Sequence, residues 1–550
     1  MVRHKLSRLA LDINMAYCQA DLPDAQLIAV RYPEGFRRYR TNDRGEREEE
    51  FMILRKNLYG HPAAGRNWAK QRDAELMKIF NKDGWTCKRC IKDPCMFVIT
   101  KAKQSNSKNK LNQPDNSTAQ RAWMLVWVDD CDIVGESDEL LEEIYSKINQ
   151  RWESKKVDPS YMLGIKREIT VLEQGNMEVE LTMTAYVEAM AEAFKDHLIK
   201  RSINTPVPDG FFTYKKKDAN EAEAERVLER GYQRLFGMLL WAARGTYVEC
   251  LQGCSLLGRV MSQPTEESWN AACHMLTYMY QHKDHGIKYS TRGNRAPVCY
   301  VDSSNKPDPT DGKCQYGYCH LWQGGTIINT SKKLAHVGLS AAHNEYMAAH
   351  WANRHTAWLR DLLMEMGVED AIPGPTDTYA DNRAANLLCE EDIVTCGNQF
   401  MQVPYHYNKE AVANQVVQMH YCPTKANLAD LFTKSVSRQV LEALLPALLG
   451  HCPPPDPAAA AARAPDQTAA PLTEQNDPAG GQRGARQAMT ARQECGPSQG
   501  HHLAPAQHKS VPASSRSLAP KPAHRWNHPG RSAVDVVAYH ADRAHTSRSK

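Results

Sequence analysis

The period of apolar positions changes several times along the chain, and each change predicts an element. Leu125-Val-Trp-Val rises to two adjacent acids, Asp129 and Asp130, and the chain then descends through Ile133 and Val134 to Gly135. This reads as a tight β-hairpin with carboxylates at its tip. Leu9-Ala-Leu reads as a strand ending near Asp12, an acid whose ordinary role there is a helix N-cap. Arg44-Gly45 marks a hairpin tip within a charged stretch. Trp68, Leu76 and Ile79 recur at helical spacing and predict a helix over 68–80. Phe97-Val-Ile99 is a short strand, and residues 101–122, almost free of apolar side chains, predict a surface loop. Leu140, Leu141, Ile144 and Ile148 share one side of a helix over 137–152. Strands follow over 161–165 and 179–183, a connector over 204–208, and helices over 185–198, 232–243 and 269–281.

Composition shifts near Arg292. Pro297-Val-Cys-Tyr-Val is a strand leading to Asp302, and 316–321 with 325–329 form a strand pair. A long helix is predicted over 340–366, a strand over 377–380 leading to Asp381, a helix over 383–389, a strand over 416–421 and a helix over 428–433. Strands alternating with helices, with acids at strand ends, predict a compact α/β unit. From Pro453 onward Ala, Pro, Gln, His and Arg dominate, with too little apolar surface to offset the entropy of ordering. The expected class is α+β: a mixed unit over 1–290, an α/β unit over 296–440 and a disordered tail over 451–550.

Composition narrows this picture only modestly. A chain of 550 residues holds about three to four domains at about 150 residues each. No apolar run is long enough for a transmembrane helix, so no membrane partner is expected. The first residues lack the apolar core of a secretory signal, so the protein is not expected to be secreted. Its 16 cysteines then read as reduced thiols. Cys87, Cys90 and Cys95 cluster but lack the second pair of a zinc site. Net charge is +4. Residues 451–550 hold 12 Lys and Arg against 7 Asp and Glu, so the preceding 450 sum to −1. Nucleic-acid binding by the folded part therefore needs local patches. The candidates are Arg31 with Arg37, Arg38 and Arg40, the lysines 215–217, and Lys332 with Lys333, each also readable as solvated surface.

The acids carry the clearest chemistry. Asp12, Asp129 and Asp130 belong to the first unit, and Asp302, Glu345, Asp381 and Asp430 to the second. Neighbouring anions at the ends of buried strands repel each other and resist desolvation, and a divalent cation relieves both costs. The ordinary alternative is an acidic turn capped by water.

The chain here resembles the polyprotein of Ty1/copia-type retrotransposons. Leu11-Asp-Ile-Asn-Met-Ala-Tyr-Cys-Gln-Ala-Asp-Leu22 is similar to that family's first reverse-transcriptase motif, Leu58-Tyr-Gly60 with Gly65-Arg-Asn-Trp68 to its nucleotide-pocket motif, and Val126-Trp-Val-Asp-Asp130 to its Tyr-Val-Asp-Asp box. Leu163-Gly-Ile165 and Ser255-Leu-Leu-Gly-Arg-Val-Met-Ser-Gln-Pro264 also fit. Leu339-Ser-Ala-Ala-His-Asn-Glu-Tyr-Met-Ala348, Ala380-Asp-Asn-Arg-Ala-Ala385, Tyr405-His-Tyr and Ala429-Asp-Leu-Phe-Thr-Lys434 match its ribonuclease H domain. The matches run in order from about residue 9 to 440, and that order is the specific signal.

The resemblance implies an RNA-directed DNA polymerase with ribonuclease H activity. Its fold would be a reverse-transcriptase palm and thumb, then a ribonuclease H-like domain. Asp12 and Asp129 would hold two Mg²⁺ ions, with Mn²⁺ as the alternative, and Asp130 would support them. Tyr17 would exclude a ribose 2′-hydroxyl, and Gly65 and Arg66 would shape the nucleotide pocket. Asp302, Glu345, Asp381 and Asp430 would hold two metals against the RNA strand of a hybrid, with His406 in a structural role. The implied partners are an RNA template, a DNA primer, the RNA/DNA hybrid, deoxynucleoside triphosphates and other parts of the retroelement polyprotein. The implied location is cytoplasmic, in a virus-like particle, with the nucleus as a second site.

Four departures stand against this pattern. Only 11 residues precede Asp12, so the family's fingers region is expected to be largely missing. His61-Pro-Ala63 replaces Leu-Lys-Gln. Ser340-Ala-Ala-His343 loses the capping box, at a cost of about 1 kcal/mol. Ser304 stands where a second acid is usual. Two further readings follow, a relic with ribonuclease H activity alone and a noncatalytic nucleic-acid-binding remnant.

Overall fold

A computed structural model describes residues 6–102, 119–211, 220–390 and 402–456. Most of the expected 101–122 loop, the lysines 215–217 and the tail beyond 456 lie outside the described residues. The described chain mixes helix and sheet, as the α+β class requires.

Its first sheet has six antiparallel strands: β1 (Ser7–Ile13), β2 (Trp85–Arg89), β3 (Met96–Lys101), β4 (Gln120–Trp127), β5 (Asp130–Gly135) and β6 (Ser154–Val157), in the order β6-β1-β5-β4-β3-β2. Alternation along β4 sets its two faces. Ala122, Met124 and Val126 are buried, while Trp123 and Leu125 point to the other side. The buried set packs with Trp68, Leu76 and Phe80 of α1 (Ala64–Phe80) and Leu140, Leu141, Ile144 and Ile148 of α2 (Asp138–Arg151). Ser137 caps α2, its Oγ accepting from the Leu140 N–H at 3.2 Å.

A second, four-stranded sheet joins Tyr161–Met162, Ile165–Val171, Met177–Thr182 and Gly286–Ser290. The helices Thr184–Ala193, Tyr232–Gly245 and Glu266–Gln281 pack together beyond it. The third sheet has the order β9-β8-β7-β10-β11, with β7 (Val298–Ser303), β8 (Gln315–Trp322), β9 (Gly325–Lys333), β10 (Thr376–Ala380) and β11 (Val417–Tyr421). The pairs β9-β8 and β8-β7 are antiparallel, whereas β7-β10 and β10-β11 are parallel. The helix α3 (Ala341–Glu365) covers one face through Tyr346, Ala348, Ala349 and Ala352, against Cys299 and Val301.

The opposite face of that sheet is buried by the helices before it. Tyr300, Cys319, Leu321 and Phe432 share one apolar core with Leu239, Tyr247, Leu257 and Met275. Packing is thus continuous across residues 290–296. A fragment limited to 296–450 is expected to expose this face and aggregate, whereas one spanning 161–456 keeps it covered. Size-exclusion chromatography of the two fragments checks this.

A further dock joins the first sheet to the far end of α3. The Trp123 Nε1–H donates to the Met366 carbonyl at 2.8 Å, and Arg121 Nη1 to the Gly367 carbonyl at 2.6 Å. Glu365 Oε2 accepts from the Ile91 and Lys92 amides at 2.7 and 3.0 Å. The Trp123 and Arg121 contacts satisfy carbonyls at the end of the helix, which lack intrahelical partners.

Several expectations shift. The first helix begins at Ala64 rather than Trp68. Residues 120–122 belong to β4, because pairing with β3 continues through Gln120. The stretch 161–165 is a hairpin, not a strand: Met162 pairs with Ile165, and Leu163 and Gly164 both take positive φ (53° and 81°), as a type I′ turn requires. The segment 428–433 is a 3₁₀ turn, Leu428–Phe432. The helices Glu221–Glu229, Gln402–Ala413 and Arg438–Leu448 were not anticipated.

Candidate functional site

The first acid group sits at one end of the six-stranded sheet. Asp12 on β1 lies opposite Asp130 on β5 and, on its other flank, opposite Lys155 on β6. Directly opposed residues project to the same face, so Asp130, Asp12 and Lys155 form a row with a lysine at one end. Asp129 is the second residue of the two-residue loop between Trp127 and Asp130. The first, Val128, has φ 55°, a left-handed conformation that costs a β-branched residue on the order of 1–3 kcal/mol. Two contacts hold this turn. The Ile13 amide donates to the Asp129 carbonyl at 3.1 Å, and the Trp68 Nε1–H donates to the Val128 carbonyl at 2.7 Å. Trp68 is buried and meets Trp152 edge to face.

Burial raises the carboxyl pKa of both turn acids, with further contributions from neighbouring acids: Asp12 for Asp129, and Asp129 and Asp12 for Asp130, which is pushed up to about 6. Asp130 also lines a cavity of about 120 Å³ with Leu11, Val157, Leu163 and Gly164. The pocket motifs meet nearby. The ring of Tyr17, on the short helix Ala16–Gln19, lies 4.8 Å from that of Tyr59, and a Cβ on Gly65 would stand 3.5 Å from the Tyr17 hydroxyl. Arg66 is exposed on α1.

The second acid group lies at the ends of the third sheet. Asp302 is the penultimate residue of β7, Asp381 follows the neighbouring parallel strand β10, Asp430 sits in the turn Leu428–Phe432 and Glu345 lies near the start of α3. Asp302, Asp381 and Asp430 bring ligand oxygens within 4.8 Å of one another, the only such grouping of three or more acids, histidines or cysteines among the described residues. Asp12, Asp129 and Asp130 do not reach that spacing, and neither do Cys87, Cys90 and Cys95. Glu345 adjoins the cluster, its Oε1 accepting from the Ser303 amide at 3.2 Å.

Its surroundings show how the cluster is held. The Thr433 hydroxyl donates to Asp302, and Thr424 Oγ1 donates to Asp381 Oδ2 at 2.7 Å. The Lys434 ammonium stands 2.9 Å from Asp430 Oδ1 and 4.0 Å from Asp302 Oδ2. Burial pushes Glu345 up to about 10, reinforced by Asp302 and Asp381, and Asp430 up to about 7, reinforced by Asp302. Asp302 is raised for the same leading reason. Glu345 Oε2 is buried without a hydrogen-bond partner, and Asp430 Oδ1 has only the ion pair with Lys434. Crowded carboxylates with spare lone pairs fit a hard divalent cation.

The helix cap beside Glu345 is half retained. Ser340 Oγ accepts from the His343 amide at 3.1 Å, and His343 Nδ1 accepts from the Leu339 amide at 3.2 Å. His343 thus reaches one residue further back than the glutamate of a capping box. His406 is exposed on Gln402–Ala413. Parts of two basic patches are locally countered. Arg31 and Arg37 stand 3.6 and 3.9 Å from Glu49, Arg40 stands 3.3 Å from Glu48, and Lys333 pairs with Asp308 at 2.8 Å. Lys155, Thr424, Thr433 and Lys434 were not picked out from sequence. Thr433 and Lys434 lie inside a quoted motif, which was the available signal.

No protein-family model matches the chain. It is 25% identical over 436 residues to the Retrovirus-related Pol polyprotein from transposon TNT 1-94 of Nicotiana tabacum, covering 78% of this chain and 30% of that protein. It is 26% identical to the Pol polyprotein from transposon RE2 of Arabidopsis thaliana (78% and 26% covered) and 21% identical to the transposon Ty1-NL2 Gag-Pol polyprotein of Saccharomyces cerevisiae (78% and 23%). The chain therefore spans less than a third of these relatives. A foamy viral protease-reverse transcriptase in complex with double-stranded DNA aligns at 9% identity over 80% of this chain and 61% of that one, with a TM-score of 0.17, which establishes no shared fold. Over that 78% of its length the chain is similar to the Pol polyproteins of Ty1/copia-type retrotransposons, whose motifs it resembles in order.

Proposed function

We propose that this chain is the nucleic-acid-processing part of a copia-type retrotransposon polyprotein, combining RNA-directed DNA polymerase and ribonuclease H. Residues 1–290 form the polymerase unit, with palm and thumb, and residues 296–440 the ribonuclease H unit. The observation that carries this reading is the cluster of Asp302, Asp381 and Asp430, the first and last of them buried, with Glu345 beside it.

In the ribonuclease H unit these four acids would hold two Mg²⁺ ions, which supply Lewis acidity and an activated water at the scissile phosphate. Thr433 and Thr424 fix the carboxylate orientations by donating to Asp302 and Asp381. The Ser303 amide does the same for Glu345. The substrate is the RNA strand of an RNA/DNA hybrid, recognised by groove shape and its 2′-hydroxyls. In the polymerase unit Asp12 and Asp129 would hold the ions and Asp130 would support them. Trp68 keeps the acid turn in place, and Tyr17 against Tyr59 and Gly65 walls the ribose of a deoxynucleoside triphosphate.

One observation favours a narrower second reading. Only Asp302, Asp381 and Asp430 reach metal-ligand spacing among the described residues, which is the arrangement of a protein retaining hybrid cleavage alone. Primer extension and hybrid cleavage measured side by side in Mg²⁺, on the unaltered protein and on Asp129→Asn, separate the readings. Extension that Asp129→Asn abolishes supports the two-activity protein. Cleavage without extension supports the narrower one. Hybrid binding with neither activity overturns both.

A further inference from the structure

Four carboxylates converge on the ribonuclease H cluster, and one cation is built into the chain beside them. Lys434 Nζ stands 2.9 Å from Asp430 Oδ1 and 4.0 Å from Asp302 Oδ2. Both are acids of the cluster whose ligand atoms lie within 4.8 Å of one another. The lysine follows Asp430 by one helical turn, and its amide approaches the Asp430 carbonyl at 3.4 Å, so its stem is tethered next to the acid it pairs with. Its side chain is 42% exposed, whereas those of Asp302 and Asp430 are only 3% and 6% exposed. Part of the lysine side chain therefore reaches solvent, while the two acids it pairs with do not.

We propose that Lys434 is the resident counter-cation of this cluster: its ammonium takes one of the places a divalent ion would fill, keeps Asp302 and Asp430 at ligand spacing, and swings to solvent when that ion binds. This rests on the reading of the cluster as a two-metal site. Two anions brought together in a poorly solvated place repel strongly, and a monovalent charge between them offsets that repulsion at the cost of competing with a second cation. Lys434 is thus a positioning residue that sets metal affinity at one place of the pair. Its ion pairs are with Asp302 and Asp430, so it competes less for a place toward Asp381 and Glu345.

The test uses the full chain with Asp12→Asn and Asp129→Asn present throughout, so that Mn²⁺ reports on the ribonuclease H cluster. Free Mn²⁺ is counted by electron paramagnetic resonance for the parent, Lys434→Met and Lys434→Arg. The parent is expected to bind one ion tightly and one weakly. Lys434→Met should bind the weaker ion about tenfold tighter, the scale for removing a mobile, half-solvated charge. Lys434→Arg, which keeps the charge, should bind it as weakly as the parent. Without metal, Lys434→Met should melt below the parent, and saturating Mn²⁺ should close that gap, which a purely structural role for the side chain does not predict. Equal weak-site affinity in the parent and Lys434→Met overturns the counter-cation role and leaves the two-metal reading intact. Absence of Mn²⁺ binding to a folded parent overturns both.

Discussion

Glu345→Gln is expected to abolish hybrid cleavage while leaving the protein at least as stable as before. The carboxylate is buried beside Asp302 and Asp381, and its Oε2 has no hydrogen-bond partner. Without a divalent ion burial holds it protonated at neutral pH, which costs stability relative to the ionised unfolded state, and Gln is neutral at nearly the same volume. With the ion, the same substitution removes a ligand from the site. Cleavage should fall by roughly 10²–10³-fold or more, the scale for removing one group that stabilises developing charge. Primer extension should be untouched. A hybrid-cleavage assay and a melting curve in chelator check both halves, and a variant that lost cleavage only because it unfolded would separate itself in the melting curve.

Trp68→Phe should do the reverse: extension lost, hybrid cleavage kept. Phe fills most of the volume but removes the N–H that holds the Val128 carbonyl. The carbonyl then loses the partner that pins a turn already held at positive φ, at a cost of about 1–3 kcal/mol. The penalty falls on the geometry of Asp129 and Asp130 rather than on the core. Trp68→Ala is the harsher control, expected to cost about 3–5 kcal/mol because it also opens a cavity. Extension and cleavage assays on both variants, with denaturant melts, distinguish a displaced turn from a destabilised fold.

Buried acids also set a pH dependence. Burial raises Asp430 to about 7 and Glu345 to about 10, above their values in an unfolded chain. Over the interval between unfolded and folded values the native state binds more protons, so stability falls as pH rises. The contribution from Asp430 is complete below about pH 4 and is lost as pH climbs through about 7. Metal-free protein should therefore melt at a lower temperature at about pH 8 than at about pH 5. Mg²⁺ should reduce that decline, because it binds the deprotonated form. Melting curves across pH, with and without Mg²⁺, test the sign.

The acid hairpin was legible in sequence because its apolar rise and fall has the strand period and its tip is short. Asp302, Asp381 and Asp430 were legible as acids at the ends of elements. Leu163-Gly164 reads as strand interior in sequence, since its neighbours are apolar and only the positive φ of both residues reveals the turn. The helix Arg438–Leu448 was missed although Leu441, Leu444, Leu445 and Leu448 repeat at helical spacing and are buried. Thr424 beside Asp381, and Lys155 opposite Asp12, could not be read locally. Each pairing depends on strands that meet only in the folded sheet.

The dock between Trp123, Arg121 and the end of α3 makes one strand and one helix into a ruler. The strand β4 leads from that dock to the Asp129 turn, and α3 leads from it to Glu345. The helical arm alone is about 30 Å long at 1.5 Å per residue. Both arms are regular structure, so the interval between the two acid groups does not depend on a flexible tether. A hybrid engaged at both ends should then be cut to one dominant length, and loosening the dock through Arg121→Ala with Trp123→Phe should broaden that length into a ladder.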